Sequence, residues 1–129
     1  MPNPVVHFEI MGKKDSSQTQ KWYGDLFGWK IDAMPFPGAP EGETYGIVSA
    51  QDGKGIGGGV GASMDGQPAI RIYIEVDDPQ AYLDKAVKAG AKVLMPVTEI
   101  PNMVTMALFE DPDGNVMGLV KAGYGGQPA

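Results

Sequence analysis

The chain contains one histidine, His7, set in Val5-Val-His-Phe-Glu-Ile10, where polar and apolar residues alternate. A two-residue period places His7 and Glu9 on one face of a strand and Val6, Phe8 and Ile10 on the other. An imidazole beside a carboxylate is acid–base chemistry in reach of a bound molecule. It is equally a pair in which the histidine is satisfied by Glu9 or by a backbone carbonyl, and an imidazole is also a metal ligand. Ala69 to Val76 repeats the alternation: Ile70, Ile72, Ile74 and Val76 share one face, and Arg71, Tyr73 and Glu75 share the other. The all-aliphatic face is expected to be core. The guanidinium of Arg71 then either balances Glu9 or Glu75, or uses its planar donor fork to grip a carboxylate or phosphate on a guest.

Other chemistries are excluded or weakened by what is missing. There are no cysteines, so disulfides, thiolate metal sites and a cysteine nucleophile are out. With a net charge of −6 and no run of Lys or Arg, the chain should repel a phosphate backbone, and nucleic acid is not an expected partner. Gly53-Lys-Gly-Ile-Gly-Gly58 resembles a dinucleotide-binding glycine pattern on paper. That pattern needs a helix directly after it, and Gly59 to Pro68 is too rich in Gly and Pro to supply one. Glycines within a strand instead let a ligand or another backbone approach closely. Met34, Phe36, Tyr45 and Met106 are candidates for an aromatic and thioether wall, although methionines equally serve as core filler.

The elements that must carry these residues read clearly. Asp15-Ser-Ser begins an amphipathic helix whose apolar residues Trp22, Tyr23, Leu26 and Phe27 fall at three- and four-residue spacing, and Gly28 stops it. Strands follow at 29–33, 45–50 and 56–62, divided by the Pro/Gly-rich loop 35–43 and the Asp52-Gly53 turn. The second half has the same order. After the strand 69–76, Asp77-Asp78-Pro79 caps a helix with Tyr82, Leu83, Ala86 and Val87 as its buried stripe. Gly90 ends that helix, and strands at 92–97, 104–109 and 115–121 complete the series, with Asp111-Pro-Asp-Gly114 as the last turn. His7 falls on Arg71, and Gly28-Trp-Lys-Ile falls on Gly90-Ala-Lys-Val. The reading is a single α+β domain, 1–129, made of two βαβββ repeats at about 5–63 and 69–122. The Gly-rich tail from Gly123 is expected to fray.

On this repeat, the sequence resembles the vicinal oxygen chelate superfamily, the fold of glyoxalases, bleomycin-resistance proteins and extradiol dioxygenases. Trp22-Tyr-Gly-Asp-Leu-Phe-Gly-Trp-Lys-Ile31, Ile74-Glu-Val-Asp-Asp-Pro79, Ala89 to Val93 and Phe109-Glu-Asp-Pro-Asp-Gly-Asn115 carry the likeness. It implies two modules whose sheets curl into a cup with helices outside, and His7 and Arg71 reaching one cavity from opposite sheets. Metal-dependent members place ligands on the first and last strands of each module. Those positions fall here on His7, roughly Gly58, Arg71 and Gly118, of which His7 alone can bind a metal. No cofactor is therefore expected.

The resulting expectation is a metal-independent protein that holds a small organic molecule through His7, Glu9, Tyr45, Arg71, Tyr73 and Glu75. The alternative is a glyoxalase-like lyase or isomerase with His7 and Glu9 as acid and base. A homodimer is expected, since each half-cup leaves sheet edges and apolar surface to bury. No signal peptide or membrane-length apolar run is visible in the sequence, which makes a cytoplasmic location the expectation.

Overall fold

A computed structural model of the chain describes residues 2–36, 39, 41–50, 53–101 and 103–122. Two compact units are present. One comprises residues 7–70, and the other residue 71 onward together with the segment up to residue 6.

In the first unit, β1 (Val5–Gly12) leads to α1 (Ser16–Phe27), β2 (Ile31–Met34), β3 (Tyr45–Val48) and β4 (Gly57–Ala62). Asp15 caps α1 by accepting a hydrogen bond from the Gln18 N–H, and Gly28 closes it in the left-handed region. β1 runs parallel to β4, and β4–β3 and β3–β2 are antiparallel. The second unit repeats this plan with β5 (Ala69–Val76), α2 (Pro79–Lys88), β6 (Lys92–Ile100), β7 (Val104–Glu110) and β8 (Val116–Lys121). Its pairings are likewise β5–β8 parallel, with β8–β7 and β7–β6 antiparallel. Asp78 accepts from the Ala81 N–H, and Pro79 occupies the first turn of α2. The two-fold βαβββ order read from the sequence is thus present strand for strand. β2 starts two residues later than expected, and β6 runs three residues further. Asp52 of the expected turn, part of the loop 35–43 and the tail from Gly123 lie outside the described residues.

Three burial assignments differ from the sequence reading. The aliphatic face of β5 is not all core: Ile70 is 74% exposed and Ile72 is also exposed, while Val76 packs with Leu83, Ala107 and Leu119. Tyr73, from the opposite face, packs with Met106 and Val120. In α2, Leu83 is buried but Val87 is exposed. In α1 the buried residues are Ser16 and Gln20, and Trp22, Leu26 and Phe27 lie more than half exposed. The reason is the floor beneath that helix. A side chain at Gly46 would run into Gln20 and Ile31, so this glycine brings the helix close to the sheet backbone. Gln20 then donates to the carbonyl of Val60 at 2.9 Å. A buried strand carbonyl asks for a donor rather than an aliphatic side chain.

Candidate functional site

The residues of the first unit converge on β4. Gly57, Gly59 and Gly61 sit at alternate positions of that strand, so one of its faces carries no side chains along three consecutive pleats. His7 is paired with Gly57, Glu9 with Gly59 and Met11 with Gly61, which puts His7, Glu9 and Met11 along the edge of this bare track. From the other side, on β3, Tyr45 lays its ring across it. A Cβ built on Gly59 would fall inside the Tyr45 ring, and one on Gly61 would press on the same ring at 3.2 Å. Only glycine leaves room for this crossing.

The crossing lets the Tyr45 hydroxyl reach β1. It donates to Glu9 Oε2 at 2.9 Å and lies 2.9 Å from His7 Nε2. Because the phenolic proton is directed to the carboxylate, the imidazole serves as donor toward the phenolic oxygen, and Nδ1 is left as the basic nitrogen. The imidazole and phenol rings are nearly parallel, 18° apart. His7 and Glu9 are each only 8% exposed. Burial lowers the His7 pKa from its ordinary 6.5, with the Glu9 charge acting in the opposite direction, so the imidazole is neutral near pH 7.

Beside this line of hydrogen bonds lies a cavity of about 80 Å³, bordered by Glu9, Met11, Phe36, Glu43, Tyr45 and Met64. Phe36 stands 5.4 Å from Tyr45, ring centre to ring centre. Glu43 ties the wall to the start of α1, accepting from the backbone N–H groups of Asp15 at 3.0 Å and Ser16 at 2.6 Å. Hydrogen bonding from Ser16, through its side chain first and its backbone second, holds the Glu43 pKa below its ordinary value. The lining is apolar apart from two carboxylates, a phenol and Thr44, the usual makeup of a small-molecule site. Its size suits one small substituent, since whole drug-sized ligands occupy roughly 300–1,000 Å³.

The structure therefore brings His7, Glu9 and Tyr45 together, with Phe36 beside them. Arg71, Tyr73 and Glu75 are on β5 in the second unit, where Arg71 and Glu75 are half-buried and Tyr73 is in the core. Met106 packs against Tyr73 there. Met11, Glu43 and Met64 were missed by the sequence reading. Continuing the two-residue period of β1 past Ile10 would have found Met11, but no sequence pattern marks Glu43 or Met64.

The register also refines the repeat. Glu9 pairs with Gly59, and Tyr73, its equivalent by the His7–Arg71 alignment, pairs with Gly118. The counterpart of Gly118 is thus Gly59 and not Gly58, whose side-chain space is filled by Phe8 on the helix-facing side. At Gly118 a Cβ would strike the Tyr73 ring. In both repeats the last-strand position is a glycine covered by a tyrosine.

Comparison with known proteins extends the picture. A family model described as Glyoxalase/Bleomycin resistance protein/Dioxygenase superfamily matches residues 5–119. A protein of Mycobacterium tuberculosis named "Putative glyoxylase CFP32" is 34% identical over 109 residues, which are 84% of this chain and 42% of that protein. The anthracycline biosynthesis protein DnrV of Streptomyces peucetius is 27% identical over 137 residues, covering 95% of this chain and 48% of that one. The chain spans about half the length of these curated relatives. Among solved structures, methylmalonyl-CoA epimerase from Mycobacterium tuberculosis superposes with a TM-score of 0.67 at 16% identity, over 91% of this chain and 86% of the other. At that identity the likeness concerns the fold alone. No helix among the described residues is long and apolar enough to cross a membrane.

Proposed function

Because the chain belongs to the Glyoxalase/Bleomycin resistance protein/Dioxygenase superfamily, we propose that it binds a small organic molecule, without a metal, at the Glu9–Tyr45 cavity. The observation that carries this reading is the bare glycine track of β4. Three alternate glycines clear a sheet face, and Tyr45 crosses it to hydrogen-bond Glu9 beside an apolar cavity. In this reading Phe36, Met11 and Met64 receive an apolar substituent of the guest. Glu9 and Tyr45 orient it through a polar atom.

The residues at the family's ligand positions do not fit a catalytic divalent metal, which asks for about three protein donors. His7 is the sole imidazole, and its Nε2 is engaged by Tyr45. The last-strand positions Gly59 and Gly118 offer no donor, and tyrosine rings occupy the space a donor would need. Arg71 at the remaining position is a permanent cation. These features support metal independence, and no step is assigned to an ion.

A second reading, a lyase or isomerase, draws on one specific observation: His7, neutral near pH 7, is joined to Glu9 through the Tyr45 hydroxyl. Such a line shuttles a proton between a base and an acid without either group moving. Thermal-shift screening of small organic compounds against chelator-treated protein tests the binding proposal. A guest near 100 times its Kd should stabilise the fold by about 2.7 kcal/mol. The response should shrink in Tyr45→Phe. If every stabilising compound acts equally on wild type and Tyr45→Phe, the cavity is not the site. Conversion of a compound that shifts the melt, lost in His7→Gln, would favour the second reading.

A further inference from the structure

The outward face of α1 carries a feature that the ligand cavity does not explain. Trp22, Leu26 and Phe27 are 58%, 57% and 58% exposed on a twelve-residue helix. Trp22 meets the Tyr23 ring edge-on at 4.9 Å, and Tyr23 in turn stacks on Trp29 at 5.7 Å, so the patch is held in place by its own neighbours. The repeat supplies an internal control. Aligning the helices on the glycines after them, Gly28 and Gly90, puts Trp22, Leu26 and Phe27 against Asp84, Lys88 and Ala89 of α2. The same outward positions are therefore solvent-suited on α2 and aromatic or aliphatic on α1. Scattered exposed apolar residues need no explanation, but a contiguous, pre-ordered patch marks a contact surface.

The polar rim indicates what covers it. Lys21 and Asp25 lie one turn apart beside Trp22, joined at 2.6 Å and well exposed. On a helix packed against its own copy about a two-fold axis crossing near residue 23, the two helices run antiparallel. Lys21 of one copy is then level with Asp25 of the second, and Asp25 with the second copy's Lys21. A like-charged rim would repel its copy, whereas this one is complementary to itself. We propose that the outward face of α1 is an isologous interface with a second copy of this chain, in which Trp22 and Leu26 form the buried centre. The patch lies on the Phe8 side of the β1–β4 sheet, opposite Glu9 and Tyr45, so the proposal is independent of the cavity reading.

Sedimentation velocity or light scattering across concentrations up to tens of micromolar tests it, on the complete chain. The wild type should give a species of twice the 13.6 kDa chain mass. Trp22→Glu and Leu26→Glu, both at exposed positions, should weaken dimerisation about thirtyfold or more, the size expected at the centre of an interface. Lys21→Asp alone should also weaken it, and Lys21→Asp with Asp25→Lys should restore it. Far-ultraviolet circular dichroism confirms that each variant is folded. A wild-type monomer throughout, which would assign the patch to another partner, overturns the proposal. So does a dimer that Trp22→Glu and Leu26→Glu leave intact, or a double charge reversal no better than the single one.

Discussion

Tyr45→Phe removes one oxygen from the centre of the candidate site and keeps the ring that covers Gly59. The lost hydroxyl gives a bond to the Glu9 carboxylate and sits in hydrogen-bond reach of His7 Nε2, both at 2.9 Å and both buried. A hydrogen bond to a charged group is worth about 1.5–3 kcal/mol and a neutral one about 1 kcal/mol. Some of this is returned because a phenyl ring is easier to bury than a phenol, which leaves an expected loss of about 2–3 kcal/mol. For a domain of this length that lowers Tm by roughly 8–10 °C. Urea unfolding with unchanged m-values measures the loss directly. Glu9→Gln supplies the decisive background, because it keeps the shape and an acceptor but discards the charge. There Tyr45→Phe should cost only about 1 kcal/mol, so the double-mutant cycle should report a coupling of about 1–2 kcal/mol. If Tyr45→Phe costs the same with Glu9 and with Glu9→Gln, the charged bond does not hold Tyr45 across the strand.

Gly59→Ala should destabilise by about 3 kcal/mol, because its methyl group claims the space of the Tyr45 ring; in the Tyr45→Ala background the same change should cost under about 1 kcal/mol, measured by urea unfolding. Gln20→Leu should cost about 1–3 kcal/mol by deleting the donor to the Val60 carbonyl, despite raising the apolar character of the helix. Burial lowers the His7 pKa, so the unfolded chain takes up the proton first as pH falls. The His7 contribution should be complete above its ordinary value of 6.5 and be lost as pH drops from there to the lowered folded value; His7→Gln should flatten stability-versus-pH in that window alone. Glu43 and Asp111 act in the same sense but below their ordinary 4.5 and 3.8, which separates their effect from that of His7.

Much of the fold was legible because local chemistry writes it. Asp15, Gly28, Asp78 and Pro79 end or begin helices through caps and fixed dihedrals that depend on few neighbours. Alternation in β1 correctly separated His7 and Glu9 from Phe8. What alternation does not carry is which face lies deeper, and in α1 the helical spacing of Trp22, Leu26 and Phe27 pointed the wrong way. The deciding information sits in another segment: Gly46 brings the sheet backbone so close that Gln20 rather than Leu26 faces it. The strand glycines were read as room for a ligand or another backbone, whereas a side-chain ring lies against Gly59. That the approaching group is Tyr45, reaching over β4 to Glu9, depends on strand order and register, which link residues 36 positions apart. Met64 and Glu43 join the cavity wall from the ends of loops, where no periodicity applies.

The proposed occupant of the Glu9–Tyr45 cavity is a small organic molecule, bound without a metal. Amide chemical-shift mapping of the isotope-labelled protein, with compounds added in excess chelator, tests it most directly. Saturable shifts centred on Glu9, Met11, Tyr45 and Gly61 are expected, with the same affinity before and after chelation and a weaker one in Tyr45→Phe. Binding that disappears with the chelator and returns with a divalent metal, or shifts centred away from those residues, would contradict it.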